Sequence, residues 1–316
     1  MKSKKRVLFL TEKWCDGNPN MGPTNHEHNL FGTLASLNTV EIGVFHFDEY
    51  KYQSGNHIDV EVPKLIVAFK PDVVVVSHLG TSPMNPTIKS YDCIRESGSE
   101  LVFVWPDTRD EVIDKIKELK DIASLHVSWA FELEDPIVEN HVWLATPQDP
   151  RLYHKQDEKS YGATFVGSLD GYTHRRPYLH YAQSVSCDLV NTGGQREAKL
   201  TAEQYAYVIR ASKISVNFSE SAVKGRHQMK GRVNEALSCG TLLLEYKNDV
   251  TSKYLLPGIH YVEFSAKEDL VAKVNYYLEN EVEREKIAAA GLAHYNSNFS
   301  PACFWGTIFT RIGVEV

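Results

Sequence analysis

The chain has 316 residues, 42% of them hydrophobic and 24% charged, with a net charge of −7. A chain of this size and composition buries a sizeable core, which excludes a disordered protein, a collagen-like repeat and a disulfide miniprotein. Its acidic balance argues against non-specific nucleic-acid binding and against long-range attraction to an anionic membrane.

Strands and helices alternate through the first half. Val7–Leu10 reads as a buried strand, followed by a Gly/Pro/Asn-rich loop, Asp16 to Thr24, and a helix to about Leu37. Val40–Phe45 is a second strand, and Pro63–Phe69 reads as the end of a helix. Asp72–Ser77 holds four consecutive valines between Pro71 and Gly80, the pattern of a central parallel strand buried on both faces. A helix near Thr87–Glu96, the strand Leu101–Trp105, and an amphipathic helix over Asp110–Lys120 come next, then short strands at Leu125–Ser128 and Val142–Ala145. The basic residues Lys2, Lys4, Lys5 and Arg6 read as a solvated tail before the first strand.

The stretch Thr146–Gly162 is polar, has two prolines and lacks a period, as a linker does. A second α/β cycle follows. Its strands are expected at Ala163–Val166, Asp188–Asn191, Ile214–Asn217, Thr241–Glu245 and Tyr261–Phe264. Its helices are expected at Arg176–Gln183, Ala202–Ala211, Lys230–Ser238, Ala266–Glu279, Glu281–Tyr295 and Ala302–Ile312. The expected organisation is an N-terminal Rossmann-like domain over residues 1–148, a linker over 149–162 and a second Rossmann-like domain over 163–316. The last helix is able to pack back on the first domain. Ligands of such sheets bind beyond the carboxyl ends of the strands.

The five cysteines include no Cys-x-x-Cys pair and their number is odd, the usage of reduced thiols in a cytoplasmic protein. The N-terminal apolar run is too short for a signal peptide, and no run reaches the length of a membrane span. Asn217-Phe218-Ser219 and Asn298-Phe299-Ser300 fit the glycosylation pattern, which a cytoplasmic protein would not use.

The segment most informative for chemistry is Ser221–Gly240. It carries Lys224, Arg226, His227, Lys230 and Arg232, with Gly225 and Gly231 in the loop, and has no acidic residue before Glu235. A cationic, glycine-containing loop running into a helix N-terminus suits a phosphate or another anion. Glu235, about one turn into that helix, can accept hydrogen bonds from a diol such as a ribose.

The run from Arg232 to Leu244, with its Glu235-Ala236 and Cys239-Gly240 pairs and apolar strand, resembles the donor segment of GT-B glycosyltransferases. It is most similar to the CgeB-like, spore-maturation-type branch related to glycosyltransferase family 4. Phe165-Val166-Gly167-Ser168 with Arg175-Arg176, Ser212–Phe218, Leu255-Leu256-Pro257-Gly258, His260–Phe264 and the paired C-terminal helices extend the likeness over residues 163–297. The resemblance implies a GT-B fold of two Rossmann-like domains facing each other across a cleft. It implies that Glu235 holds the nucleotide ribose, that Lys230 and Arg232 face the diphosphate, and that Gly167 and Ser168 allow close approach. It implies a further cation from Arg175 or Arg176, and Lys213 and Arg226 are the remaining candidate cations on the donor side. Where family 4 enzymes often carry a second Glu eight residues before Glu235, this chain has His227. It has no Asp-x-Asp pair, in agreement with a metal-independent transferase that needs no cofactor.

On the acceptor side, Gly22 lies in the loop after the first strand, and His26 and Glu27 open the following helix as candidate cleft-facing groups. His26 and His28 are too far apart around a helix to share a metal, so no metal site is expected. Asp107 and His78 follow predicted strands; Asp107 is the first choice of general base and His78 the second. The expected activity is transfer of a sugar, a hexose first of all, from a nucleotide-diphosphate donor (UDP-sugar favoured) to a hydroxyl acceptor of unknown class. A nucleic-acid acceptor is disfavoured by the charge. A nucleotide-sugar epimerase on the same fold, or a non-catalytic nucleotide-sugar-binding protein, are the alternatives.

Overall fold

The computed structural model describes residues 4–107, 109–129, 135–169, 173–192, 200–221 and 226–316. Lys2, Lys224 and Gly225, singled out above, lie outside them. The chain divides into two compact units, one of Met1–Ala145 with Pro301–Val316 and one of Thr146–Ser300.

The first unit is built on a six-stranded sheet of β1 (Arg6–Thr11), β2 (Glu41–His46), β3 (Val73–Ser77), β4 (Glu100–Trp105), β5 (Leu125–Trp129) and β6 (His141–Leu144). The strand order is β2-β1-β3-β4-β5-β6 and every pairing is parallel. Val73 to Val76 are wholly buried in β3, as the unbroken β-branched run requires. Alternate side chains feed two cores. Leu8, Leu10, Val74, Val76 and Phe103 pack under α3 (Val62–Phe69), α4 (Ile88–Glu96) and α5 (Asp110–Glu118). Phe9, Val75 and Val127 pack on the other face with Leu34 of α1 (Gly32–Leu37) and with Trp305, Ile308 and Phe309 of the last helix, Pro301–Arg311. The Trp305 indole donates to Thr33 Oγ1 at 2.9 Å, tying that helix to α1.

Two local features depart from the sequence reading. A helix α2 (Phe47–Ser54) follows β2 directly, because the buried Asp48 carboxylate accepts the backbone N–H groups of Lys13, Trp14 and Glu49. Lys5 and Arg6 are not a loose tail: they pair with Asp72 at 2.8 Å and Glu41 at 3.2 Å.

The second unit carries β7 (Tyr161–Phe165), β8 (Leu189–Asn191), β9 (Ser212–Asn217), β10 (Leu242–Tyr246) and β11 (Val262–Phe264), in the order β11-β10-β9-β7-β8. All pairings are again parallel. The helices are α6 (Arg176–Ser184), α7 (Ala202–Arg210), α8 (Gly231–Ser238), α9 (Thr251–Tyr254), α10 (Lys267–Glu279) and α11 (Glu281–Asn298), with α12 being the Pro301–Arg311 helix of the first unit. Residues 149–162, expected as a linker, pack within this unit. Tyr153 is buried with Val166, Ala206, Ile209 and Cys239, and the Asp149 carboxylate is buried against Arg151. The lack of a hydrophobic period there reflects an irregular segment held by single anchors. Both units are thus parallel-sheet α/β Rossmann-like domains.

Candidate functional site

The carboxyl ends of β7, β9 and β10 converge on the N-terminal end of α8. Lys230 is the residue before α8, with extended backbone, and its Nζ donates to Gln228 Oε1 at 2.7 Å. Two bonds tie the helix to its own unit: Asn234 Nδ2 donates to Thr146 O at 2.9 Å and Gln148 Nε2 to Gly231 O at 3.5 Å. Arg232, in the first turn, lies across the strand ends. Its Nε donates to Asn217 Oδ1 at 2.9 Å and its Nη1 to the carbonyl of Val166 at 2.8 Å. The guanidinium sits 5.5 Å from the centre of the Phe165 ring. These contacts fix its plane. Gly167 is what makes the approach possible, since a Cβ on it would overlap Arg232 Nη1.

Glu235 lies one turn further on the same helix and is 8% exposed. Its Oε2 accepts the Tyr205 hydroxyl at 3.2 Å, and that hydroxyl also lies 3.4 Å from Val166 O. Burial pushes the Glu235 carboxyl up to about 7, against the opposing pull of Arg232 and the Tyr205 hydrogen bond. The site therefore joins a fixed cation, a second cation at a helix N-terminus and a carboxylate with one oxygen held by tyrosine. That set can bind a phosphate and a neighbouring hydroxyl.

The other residues expected on this side are placed unequally. Ser168 lies beside Gly167, and its carbonyl accepts Arg175 Nη1 at 3.0 Å. Arg175 is fully buried, with Nη2 donating to Phe218 O at 3.3 Å. Its charge is spent on tying the loop after β7 to the end of β9, so it is a structural cation. Arg176, next to it, is exposed on the first turn of α6. Lys213 sits at the amino end of β9, four residues, or about 13 Å, from the end that meets α8. It is not part of the group around Arg232. Arg226 is half-buried, and its carbonyl accepts Ser221 N at 2.8 Å. Glu220 and His227 also form an antiparallel bridge before α8, flanked by the pairs His174–Glu220 at 2.7 Å and His227–Asp249 at 3.2 Å.

In the first unit, His26 is buried rather than open to a ligand. Its Nδ1 meets Thr11 Oγ1 at 2.8 Å, its ring lies edge-on to Trp129, and burial lowers its pKa to about 3. Glu27 is exposed, and Gly22 is half-buried, with a positive φ of 79° where it caps the turn Pro19–Met21. His78 is also buried, stacked on Trp105 at 4.0 Å and lowered by burial to about 3. It lines a pocket of about 500 Å³ with Thr81, Asn85, Tyr91 and Lys115. Asp107 is exposed and pairs with Arg109 Nε at 2.9 Å.

Four residues escaped the sequence reading. Tyr205 and Glu245 carried no local signal beyond a helical tyrosine and the last acidic residue of an apolar strand. Asn217 was visible only as a glycosylation pattern, yet it is fully buried. Glu12 stands directly after β1. It accepts Thr24 Oγ1 at 3.1 Å and Gly17 N at 3.2 Å, and burial raises it to about 7. An acidic residue interrupting the strand was its signal.

Residues 152–308 match the family model "Glycosyl transferase-like". That match covers just under half of the chain. Solved glycosyltransferase structures of GT-B architecture match nearly the whole chain. Anabaena Alr3699/HepE, in complex with UDP and glucose, is 12% identical with a TM-score of 0.58, over 98% of this chain and 99% of that one. A glycosyltransferase from Rickettsia africae is 10% identical with a TM-score of 0.60, over 99% and 100%. T4 phage BGT, in complex with UDP and Mn2+, is 10% identical with a TM-score of 0.55, over 98% and 100%. At such identities the likeness establishes the fold. No curated protein matches the chain. The relation to the CgeB-like branch and to family 4 is not among these matches. No described helix is long and apolar enough to cross a membrane.

Proposed function

We propose that the protein transfers a sugar from a nucleoside-diphosphate donor, UDP-sugar first, to a hydroxyl acceptor, and that its second unit holds the donor. The observation that carries the reading is Arg232, fixed by Asn217 and Val166 over the bare backbone of Gly167, one helical turn from Glu235. The leaving group is a nucleoside diphosphate, and its growing charge must be neutralised as the sugar departs. Of the five guanidinium N–H donors of Arg232, those that meet Asn217, Val166 and the Tyr205 hydroxyl are spent on the protein. The rest, with Lys230 and the first turn of α8, face that charge in this reading, so no metal ion is required. The second oxygen of Glu235 accepts a ribose hydroxyl. That similar folds have been solved with UDP supports the choice of base.

On the acceptor side Asp107 remains the candidate general base, because it is exposed while His26 and His78 are buried and held neutral. The test is calorimetric titration of UDP and UDP-glucose in EDTA against the parent, Arg232→Ala and Glu235→Ala. Each variant is expected to lose binding by about 1.5–3 kcal/mol, the worth of a charge-assisted hydrogen bond. Variants that bind like the parent would remove the site.

A further inference from the structure

Glu245 is fully buried at the carboxyl end of β10, in register with Asn217 on β9. Its Oε2 accepts Asn217 Nδ2 at 2.7 Å, and its Oε1 accepts Asn248 Nδ2 at 3.1 Å. Asn217 Oδ1 then accepts Arg232 Nε at 2.9 Å. The order of the chain matters. An amide has one accepting and one donating end, and an ionised carboxylate can only accept. Ionised Glu245 therefore holds the Asn217 NH2 group toward itself and turns the carbonyl oxygen toward the guanidinium. A protonated Glu245 can donate, so it no longer dictates which way the amide faces. The reversed amide would present NH2 to a cation that needs an acceptor.

We propose that Glu245 is a positioning residue for donor binding, which acts through the Asn217 amide to set the plane of Arg232. The proposal rests on the reading of Arg232 as a diphosphate contact. The groups packed around Glu245 are Asn217 and Ser219 of β9 and its extension, Asn248 beyond β10, Arg232 on α8 and Tyr261 before β11. Burial raises the Glu245 carboxyl to about 7, while Ser219, Asn217 and Arg232 pull it down. Donor affinity should therefore fall as pH drops through 7, the lost alignment of Arg232 outweighing the gain from removing a negative charge near the diphosphate. A gain of charge on His174, which burial holds below the usual histidine range, would act in the opposite sense, since added positive charge favours an anion. Glu235 titrates in the same window and in the same direction as Glu245, so it has to be separated by mutation.

The experiment is titration of UDP-glucose, whose diphosphate diester carries no proton to lose in this range, against the full chain between pH 6 and pH 8. Parent, Glu245→Gln, Glu235→Gln and Arg232→Ala are compared. At pH 8 Glu245→Gln is expected to bind about tenfold more weakly, or ~1.4 kcal/mol, and its pH profile to lose the Glu245 step. Glu235→Gln is expected to keep that step. Glu245→Gln binding with the affinity and pH profile of the parent overturns the positioning role and leaves the donor site standing. A parent that does not bind, or an Arg232→Ala variant that binds normally, overturns the donor reading and the positioning role together. If Glu245→Gln does not fold, Glu235→Gln decides, because a flat profile in that variant overturns the role.

Discussion

Arg232 rests against the bare backbone of Gly167, in the space that any side chain at that position would claim. The glycine serves an approach between a strand end and a helix, which no positive φ demands. Gly167→Ala should force the guanidinium from its contacts with Val166 and Asn217. Its end is flexible enough to move, so the fold should tolerate the change. UDP affinity should fall about tenfold, ~1.4 kcal/mol, with a melting temperature close to the parent's. Unaltered UDP affinity in Gly167→Ala would mean that this placement of Arg232 is irrelevant to binding.

Tyr205 provides a second handle. Its hydrogen bond favours the charged form of Glu235, so Tyr205→Phe should push that carboxyl further up. The pH at which donor binding is half lost on acidification should then rise above the parent's. Titration of UDP-glucose across pH 6–8.5 reads this directly, and a midpoint that moves down or stays fixed contradicts it.

Adjacent arginines should behave in opposite ways. Arg175 is buried with two carbonyls depending on it, whereas Arg176 is exposed. Arg175→Ala leaves buried acceptors unpaired and a cavity, at a cost of roughly 2–4 kcal/mol. Arg176→Ala should stay within about 0.5 kcal/mol of the parent. Urea unfolding of both variants separates them.

The first unit should be acid-sensitive through its histidines. His26 and His78 are lowered to about 3, and His126 and His141 to about 4, all chiefly by burial. Between those values and 6.5 the unfolded chain binds protons that the native state does not. Their contribution is present above pH 6.5 and lost as pH falls toward 4. Glu12, Glu235 and Glu245 have raised pKa values and act in the opposite sense, weakening the fold as pH rises from 4.5 toward 7. Four histidines outweigh three glutamates on the acid side, so the urea midpoint should fall below pH 6. His78→Gln should flatten that fall; an unchanged slope would contradict the buried, neutral state of His78.

The fold could be read in the sequence where one force dominates. The four valines of β3 and the periodic face of α5 each bury against a sheet, and pattern alone specifies that. The segment from Arg232 to Glu235 was readable because charge, glycine and a helix start coincide within a few residues. What escaped reading depends on distant partners. Nothing local tells that Arg175 will be buried against the Phe218 carbonyl while Arg176 is exposed, or that Lys213 falls at the amino end of its strand. His26 and His78 carried the composition of a catalytic group, but their burial is decided by Trp129 and Trp105 from other strands. Asn217 and Glu245 acquire meaning only when β9 and β10 pair.

The most direct test of the account is calorimetric titration of UDP into the parent chain in EDTA, alongside Arg232→Ala. Saturable one-to-one binding by the parent without metal is expected, weakened about tenfold or more, at least ~1.4 kcal/mol, in the variant. Absence of binding by the parent, or equal binding by the two, would contradict the donor site on which the rest is built.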